Sequence, residues 1–134
     1  MAKTVVIIGT LDTKGQDIQY VKELIEERGL DTIVIDVGIL EEPPFTPDGS
    51  HQEIARAAGM SLEEVIALGG EGEAIEVMAK GASRIAKQLC SQGKVDGVVA
   101  LGGSMGAWLG LNVMKALPLD MPKLMVTTEA VSGF

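Results

Sequence analysis

The sequence predicts a doubly wound α/β domain, a parallel sheet of about four strands with helices on both faces. Three observations predict it. Four short runs of apolar, largely β-branched residues show no polar/apolar alternation, the mark of strands buried on both faces. Between them lie segments whose apolar residues recur at helical spacing, and strands that alternate with helices build parallel sheets. The 17 glycines among 134 residues, nearly twice the ~7% of an average protein, fall at the ends of those runs, where backbone turns tightly or approaches something closely.

Lys3 to Gly9 reads as the first strand. After the loop Thr10 to Gly15, the positions Ile18, Val21, Leu24 and Ile25 mark a helix stopped by Gly29, and Thr13 with Gln16 three residues on fits a capping box at its start. Thr32 to Val37 is a second buried strand, and a strand, helix, strand unit favours a parallel pair. Gly38 to Gly49 holds Pro43, Pro44 and Pro47 and reads as a stiff connection, neither helix nor interior strand.

Two capping boxes follow, Ser50 with Glu53 and Ser61 with Glu64, opening short helices that stop near Gly59 and Gly69. A longer helix from Glu71 to Gln92 carries Ile75, Met78, Ala82, Ile85 and Leu89 on one face and ends at Gly93. Val95 to Leu101 is the third strand, Gly102 to Gly106 its turn, Ala107 to Ala116 a helix, and Leu124 to Thr127 the fourth strand, after Pro118 and Pro122. The expected strand order is 2-1-3-4. Ligands of such sheets bind outside the carboxyl ends of the strands where the order reverses, here between strands one and three.

Length allows one domain over residues 1–134. Aromatic residues make up only 3% of it, so the core is aliphatic. Lys and Arg total 11 against 19 Asp and Glu, a net charge of −8 with no basic run, which excludes the electrostatic footprint of a nucleic-acid binder. A single cysteine, Cys90, cannot close an intramolecular disulfide, and the N-terminal apolar stretch is too short and wrongly flanked for a signal peptide. The expected location is the cytoplasm. The uncharged stretch Gly97 to Met114 approaches the length of a membrane span, but Gly102-Gly103-Ser104 divides it into a strand-like and a helix-like half, so no membrane partner is expected.

Two loops carry chemistry. Gly9-Thr10-Leu11-Asp12-Thr13-Lys14-Gly15 joins a strand to a helix N-terminus and offers backbone N–H groups, two hydroxyls and an ammonium, the parts of an anion site. It matches neither the P-loop nor the dinucleotide spacing. Its plain structural reading is a capped βα turn with an exposed lysine. In Leu101-Gly102-Gly103-Ser104-Met105-Gly106 the glycines admit an anion against the backbone and Ser104 is placed to cap the next helix; the structural alternative is that the glycines only make the turn and let helix and sheet pack. Two such loops at adjacent switch-point strands favour a phosphate-bearing ligand.

Gly102-Gly103-Ser104-Met105-Gly106 also satisfies Gly-x-Ser-x-Gly, the pattern of a nucleophile elbow. A hydrolase of that type needs a histidine downstream of its serine, and the lone His51 lies upstream. His51 has no Cys or His partner for a metal and reads as a helix-surface residue. Asp36, at the end of the second strand, is placed either to accept hydrogen bonds from a ribose or to cap the next turn. Asp12 either orients its loop or approaches a metal carried by phosphate. Met105 and Trp108 lie close enough to the second loop to touch a ligand, although core filling explains them equally well.

Together with the first loop, Ile35-Asp36-Val37-Gly38, Ala100-Leu101-Gly102-Gly103-Ser104 and Pro122-Lys123-Leu124-Met125-Val126-Thr127-Thr128 resemble the N-terminal part of the tobamovirus-resistance-protein-like ATP-binding family, whose bacterial and archaeal members form an uncharacterised protein family. The resemblance covers nearly the whole chain and implies a Rossmann-like domain holding ATP, alone or with Mg2+. Gly9, Thr10, Leu11, Asp12, Thr13, Lys14, Asp36, Gly102, Gly103, Ser104, Met105 and Gly106 are then the candidate nucleotide-binding residues; no catalytic residue is assigned. Where that family continues its second loop with small residues, this sequence has Met105 and later Trp108, which narrow the pocket. Family members are longer and carry a second domain, so a C-terminal domain or a homo-oligomer is expected to cover the sheet edge. Two other functions fit the same residues: a part of an enzyme acting on a small phosphorylated or acyl metabolite, and an interaction module docking through its acidic face or the segment 38–49.

Overall fold

Val6 and Ile8 of β1 (Thr4–Gly9) point to one face of the sheet and Ile7 to the other, and all three are buried. That is why the run shows no alternation: both faces are covered. The structure, a computed structural model, describes residues 2–128. Residues 129–134, beyond which the sequence reading expects a further domain, lie outside the described residues.

β1 is followed by α1 (Leu11–Glu27), β2 (Asp31–Asp36), α2 (His51–Ala57), α3 (Leu62–Ala67), α4 (Glu71–Ser91), β3 (Gly97–Gly102), α5 (Ser104–Lys115) and β4 (Lys123–Thr127). The sheet order is β2-β1-β3-β4, every neighbouring pair parallel, as expected. One face packs Val6, Ile8, Ile35, Val98 and Ala100 against α2, α4 and α5 through residues such as Ile54, Met78, Ala82 and Leu109. The other packs Ile7, Val34 and Leu101 against Ile18 of α1. The layers form because each helix has a single apolar stripe to bury.

The expected helix stops hold: Gly29, Gly59, Gly69 and Gly93 all have positive φ, the left-handed conformation that ends a helix most cheaply at glycine. Both serine capping boxes, at α2 and α3, are complete. The segment between β2 and α2 is irregular, as its prolines require, but it is tied down. Gly49 pairs in parallel with Ile35, and the Asp48 carboxylate accepts the Val34 N–H at 2.8 Å, so the chain itself covers the carboxyl half of the β2 edge. Pro44 sits where a Cβ on Gly15 would be, and Phe45 packs on the α1 side of the core. The stretch Gly97 to Met114 divides into β3 and α5 as read, and no described helix is long and apolar enough to cross a membrane.

Several strand and helix ends shift by one residue, and other placements differ more from the sequence reading. Helix α1 begins at Leu11, with Thr10 as N-cap, and Lys14 (φ −120°, ψ 17°) interrupts it. The first loop is therefore one helical turn and a kink, because the Thr10 carbonyl accepts the N–H groups of Thr13 (3.2 Å) and Lys14 (2.7 Å). Thr13 caps nothing; its hydroxyl pairs with that of Thr10 at 2.6 Å. Helix α5 begins at Ser104, with Gly103 at the N-cap position, so Ser104 is the first helical residue and not the cap. β3 begins at Gly97 because Asp96 spends its carboxylate on the Thr4 N–H at 2.8 Å. His51, expected on a surface, is only 3% exposed, and its Nδ1 lies 2.7 Å from the Gly38 carbonyl oxygen.

Candidate functional site

β1 and β3 are neighbours in the sheet, and each ends in glycine at its carboxyl end before a helix starts. Their two turns therefore open side by side at the point where strand order reverses. Between them lies a cavity of about 310 Å3, near the lower end of the ~300–1,000 Å3 usual for small-molecule sites. Thr10, Asp12, Thr13 and Lys14 line it from the α1 turn; Gly103, Ser104, Met105 and Gly106 line it from the α5 turn.

Neither α1 nor α5 has a side-chain hydrogen bond at its N-cap. Nor does α4, which reaches the same cavity with Ala74. The helices whose N-caps are satisfied by serine, α2 and α3, contribute no residue to the cavity lining. The positive end of each helix dipole attracts negative charge, and so do the first-turn N–H groups of α5; at α1 the Leu11 N–H is already taken by Asp36 Oδ1. Lys14 adds a cation, and its kink sets it on the cavity wall and not in a regular helical surface.

The opposite wall was not legible as a site in the sequence. Val37, Gly38, Ile39 and Leu40 form it, and Ile75 and Met78 of α4 complete it, so most of the cavity surface is apolar. Ile75 and Met78 have the same helical spacing as core positions, which hides them. The sequence marks Gly38 as the residue closing an apolar strand, as the end of the Ile35-Asp36-Val37-Gly38 stretch of the family resemblance and as the start of the segment 38–49, without placing it in the cleft.

Asp12 carries no free carboxylate into this space. Its Oδ2 accepts the N–H groups of Leu40 (2.9 Å) and Glu41 (3.3 Å), and its Oδ1 is buried without a hydrogen-bond partner. Asp36, 1% exposed, uses Oδ1 to accept the N–H groups of Leu11 (3.1 Å) and Gly38 (2.9 Å). It ties the start of α1 to the β2–α2 segment and does not line the cavity. Burial pushes its carboxyl above the ordinary aspartate range, against the hydrogen bonds from Gly38 and Leu11; His51 opposes the shift and Asp12 adds to it. The buried atoms lacking a partner among the described residues are Asp12 Oδ1, Asp36 Oδ2 and His51 Nε2. All three side chains meet at Gly38, with Glu42 a further 3.9 Å from the His51 ring nitrogen.

The remaining candidates serve packing. Leu11 is fully buried in the α1-side core. A Cβ on Gly9 would fall 2.6 Å from Ile18 Cδ1, and one on Gly102 would fall 2.7 Å from Gly106 Cα, so these two glycines let α1 and α5 seat on the sheet. Trp108 is partly exposed and outside the cavity lining.

A parallel sheet of order 2-1-3-4 with a cleft at its switch point is a Rossmann-like α/β domain. The chain belongs to the uncharacterised protein family UPF0261 and matches its N-terminal domain over residues 3–133. It is similar to UPF0261 proteins of Clostridium tetani (42% identical over 130 residues, 97% of this chain and 32% of the relative) and Brucella suis (41% over 128 residues, 96% and 31%). A UPF0261 protein of Rhizobium meliloti is 32% identical over 128 residues, again 96% and 31%. The chain spans about a third of the length of these curated relatives.

Proposed function

We propose that the cleft binds a phosphate-bearing nucleotide, ATP, with the phosphates at the α1 and α5 turns and the base and ribose toward Ile39, Leu40, Ile75 and Met78. The observation that carries this reading is that the α1 and α5 turns, neither closed by the side chain of its own N-cap residue, open onto one cavity that also holds Lys14, with the first-turn N–H groups of α5 left for an anion and the Leu11 N–H of α1 taken by Asp36. Anions bind such termini through backbone N–H groups, and the apolar wall gives a flat heterocycle a surface to lie on. The resemblance to the tobamovirus-resistance-protein-like ATP-binding family supports the same choice. Among the described residues no group of three or more His, Cys, Asp or Glu side chains is placed to hold a metal. Mg2+ would arrive on the phosphates, as it does where a protein offers few carboxylates.

Isothermal titration with ATP, ADP and a sugar phosphate, with and without Mg2+, tests the proposal. Saturable binding of ATP or ADP is expected; no heat and no thermal shift with any nucleotide at millimolar concentration overturns it. Lys14→Ala is expected to weaken ATP roughly ten- to a hundred-fold, the loss of one charge-assisted contact, with the melting temperature unchanged. Unaltered affinity would remove Lys14 from the phosphate site.

A further inference from the structure

The two faces of the sheet are covered unequally. The face bearing Val6, Val98 and Met125 lies under α2, α4 and α5; the other lies under α1, with Phe45 of the β2–α2 segment beside it. Register pairs Leu124 with Val99 and Val126 with Leu101, whose side chains face α1. Yet Leu124 is 57% and Val126 46% exposed, and Tyr20 on the flank of α1 is 63% exposed. Between α1 and β4 runs a groove of about 340 Å3 lined by Tyr20, Val21, Leu101 and Val126, with Asp17 and Thr128 at its rim.

Connection handedness says what kind of segment fits. Strand-to-strand crossovers are right-handed, and here the leftward step β1 to β2 puts α1 on one face, while the rightward steps β2 to β3 and β3 to β4 put α4 and α5 on the other. A crossover continuing rightward from β4 would again lie with α4 and α5. Of the helices that could follow β4 in the same chain, one that returns leftward across the sheet beside α1 fits this groove. The matched region makes up 32% of the Clostridium tetani relative and is described as the family's N-terminal domain, so ample polypeptide follows it there.

We infer that the groove between α1 and β4 is the seat of an amphipathic helix from the polypeptide that follows this region in its relatives, a returning helix packed beside α1. Its apolar stripe meets Tyr20, Val21 and Val126. This assignment does not require a nucleotide in the cleft, although Lys14 lines both spaces.

Cysteine labelling with a maleimide, read peptide by peptide by mass spectrometry, tests it in two proteins: this 134-residue chain and the full-length Clostridium tetani relative. Tyr20→Cys, Val126→Cys and, as control, the exposed Glu27→Cys are made here, and cysteines are placed at the aligned positions of the relative. All three positions should label rapidly in this chain. In the relative, positions 20 and 126 should label at least ten-fold more slowly at every protein concentration, with position 27 unchanged. Equal labelling at position 20 in both proteins overturns the inference. Protection of 126 alone also overturns it, because an added strand beside β4 would shield 126 and leave 20 open. Protection that grows with concentration assigns the groove to a second copy and overturns it too.

Discussion

Among the glycines that line the cleft, Gly38 has the least room for a side chain. A Cβ there would lie 2.6 Å from Asp12 Oδ1, and that carboxylate cannot swing away without releasing the N–H groups of Leu40 and Glu41. Gly38→Ala is therefore expected to cost about 1–3 kcal/mol, as overpacking does, and to weaken the ligand because the displaced 38–41 wall is part of the cavity. Denaturant unfolding and nucleotide titration of the same variant check both effects. Asp36 makes a prediction of a different kind. Because burial raises its folded-state pKa, its contribution to stability is complete below the unfolded-state value and is lost as pH rises through the raised one. Asp36→Asn keeps an acceptor for Leu11 and Gly38 but does not titrate. The melting temperature of the variant relative to the parent should rise from about pH 3.5 to pH 7, and a difference independent of pH would show that the carboxyl is not perturbed by folding. His51 was misread as a surface residue because its burial is decided by a backbone carbonyl 13 positions away, Gly38, which no local pattern reveals.

At the scale of elements, the helices divide into two kinds. α2 and α3 are closed by serine capping boxes legible in the sequence as Ser50 with Glu53 and Ser61 with Glu64. Ser50→Ala and Ser61→Ala should each cost about 1 kcal/mol. Thr13→Ala should cost clearly less in the absence of ligand, since Thr13 has the spacing of a cap but bonds only the Thr10 hydroxyl; guanidinium titrations of the three variants compare them directly. The same spacing rule thus succeeded twice and failed once. It failed where the turn is held from outside, by Asp36 accepting the Leu11 N–H, so that the helix starts earlier than its own residues require. In the second loop the helix likewise starts one residue earlier than expected: Gly103 stands at the N-cap position and Ser104 is the first residue of α5.

At the scale of the molecule, strand order and helix layers were legible because they follow from uninterrupted apolar runs and from connection length. Both candidate turns were legible too, since strand, glycine and helix succeed one another within each. The wall opposite them was not. Ile39 and Leu40 reach the cavity only because Gly49 returns to pair with Ile35 and Asp12 fastens the segment from another element. That return also sets the ends of the sheet apart. Along its carboxyl half β2 is already paired by its own chain, while β4 has one strand neighbour among the described residues. Sheets that present two usable edges can add copies without limit and grow into fibres. A sheet blocked on one side can join a second copy only through the other, and two copies so joined present blocked sides outward. On the carboxyl half of β2, where Gly49 already pairs with Ile35, a strand from a second copy finds no free ladder position.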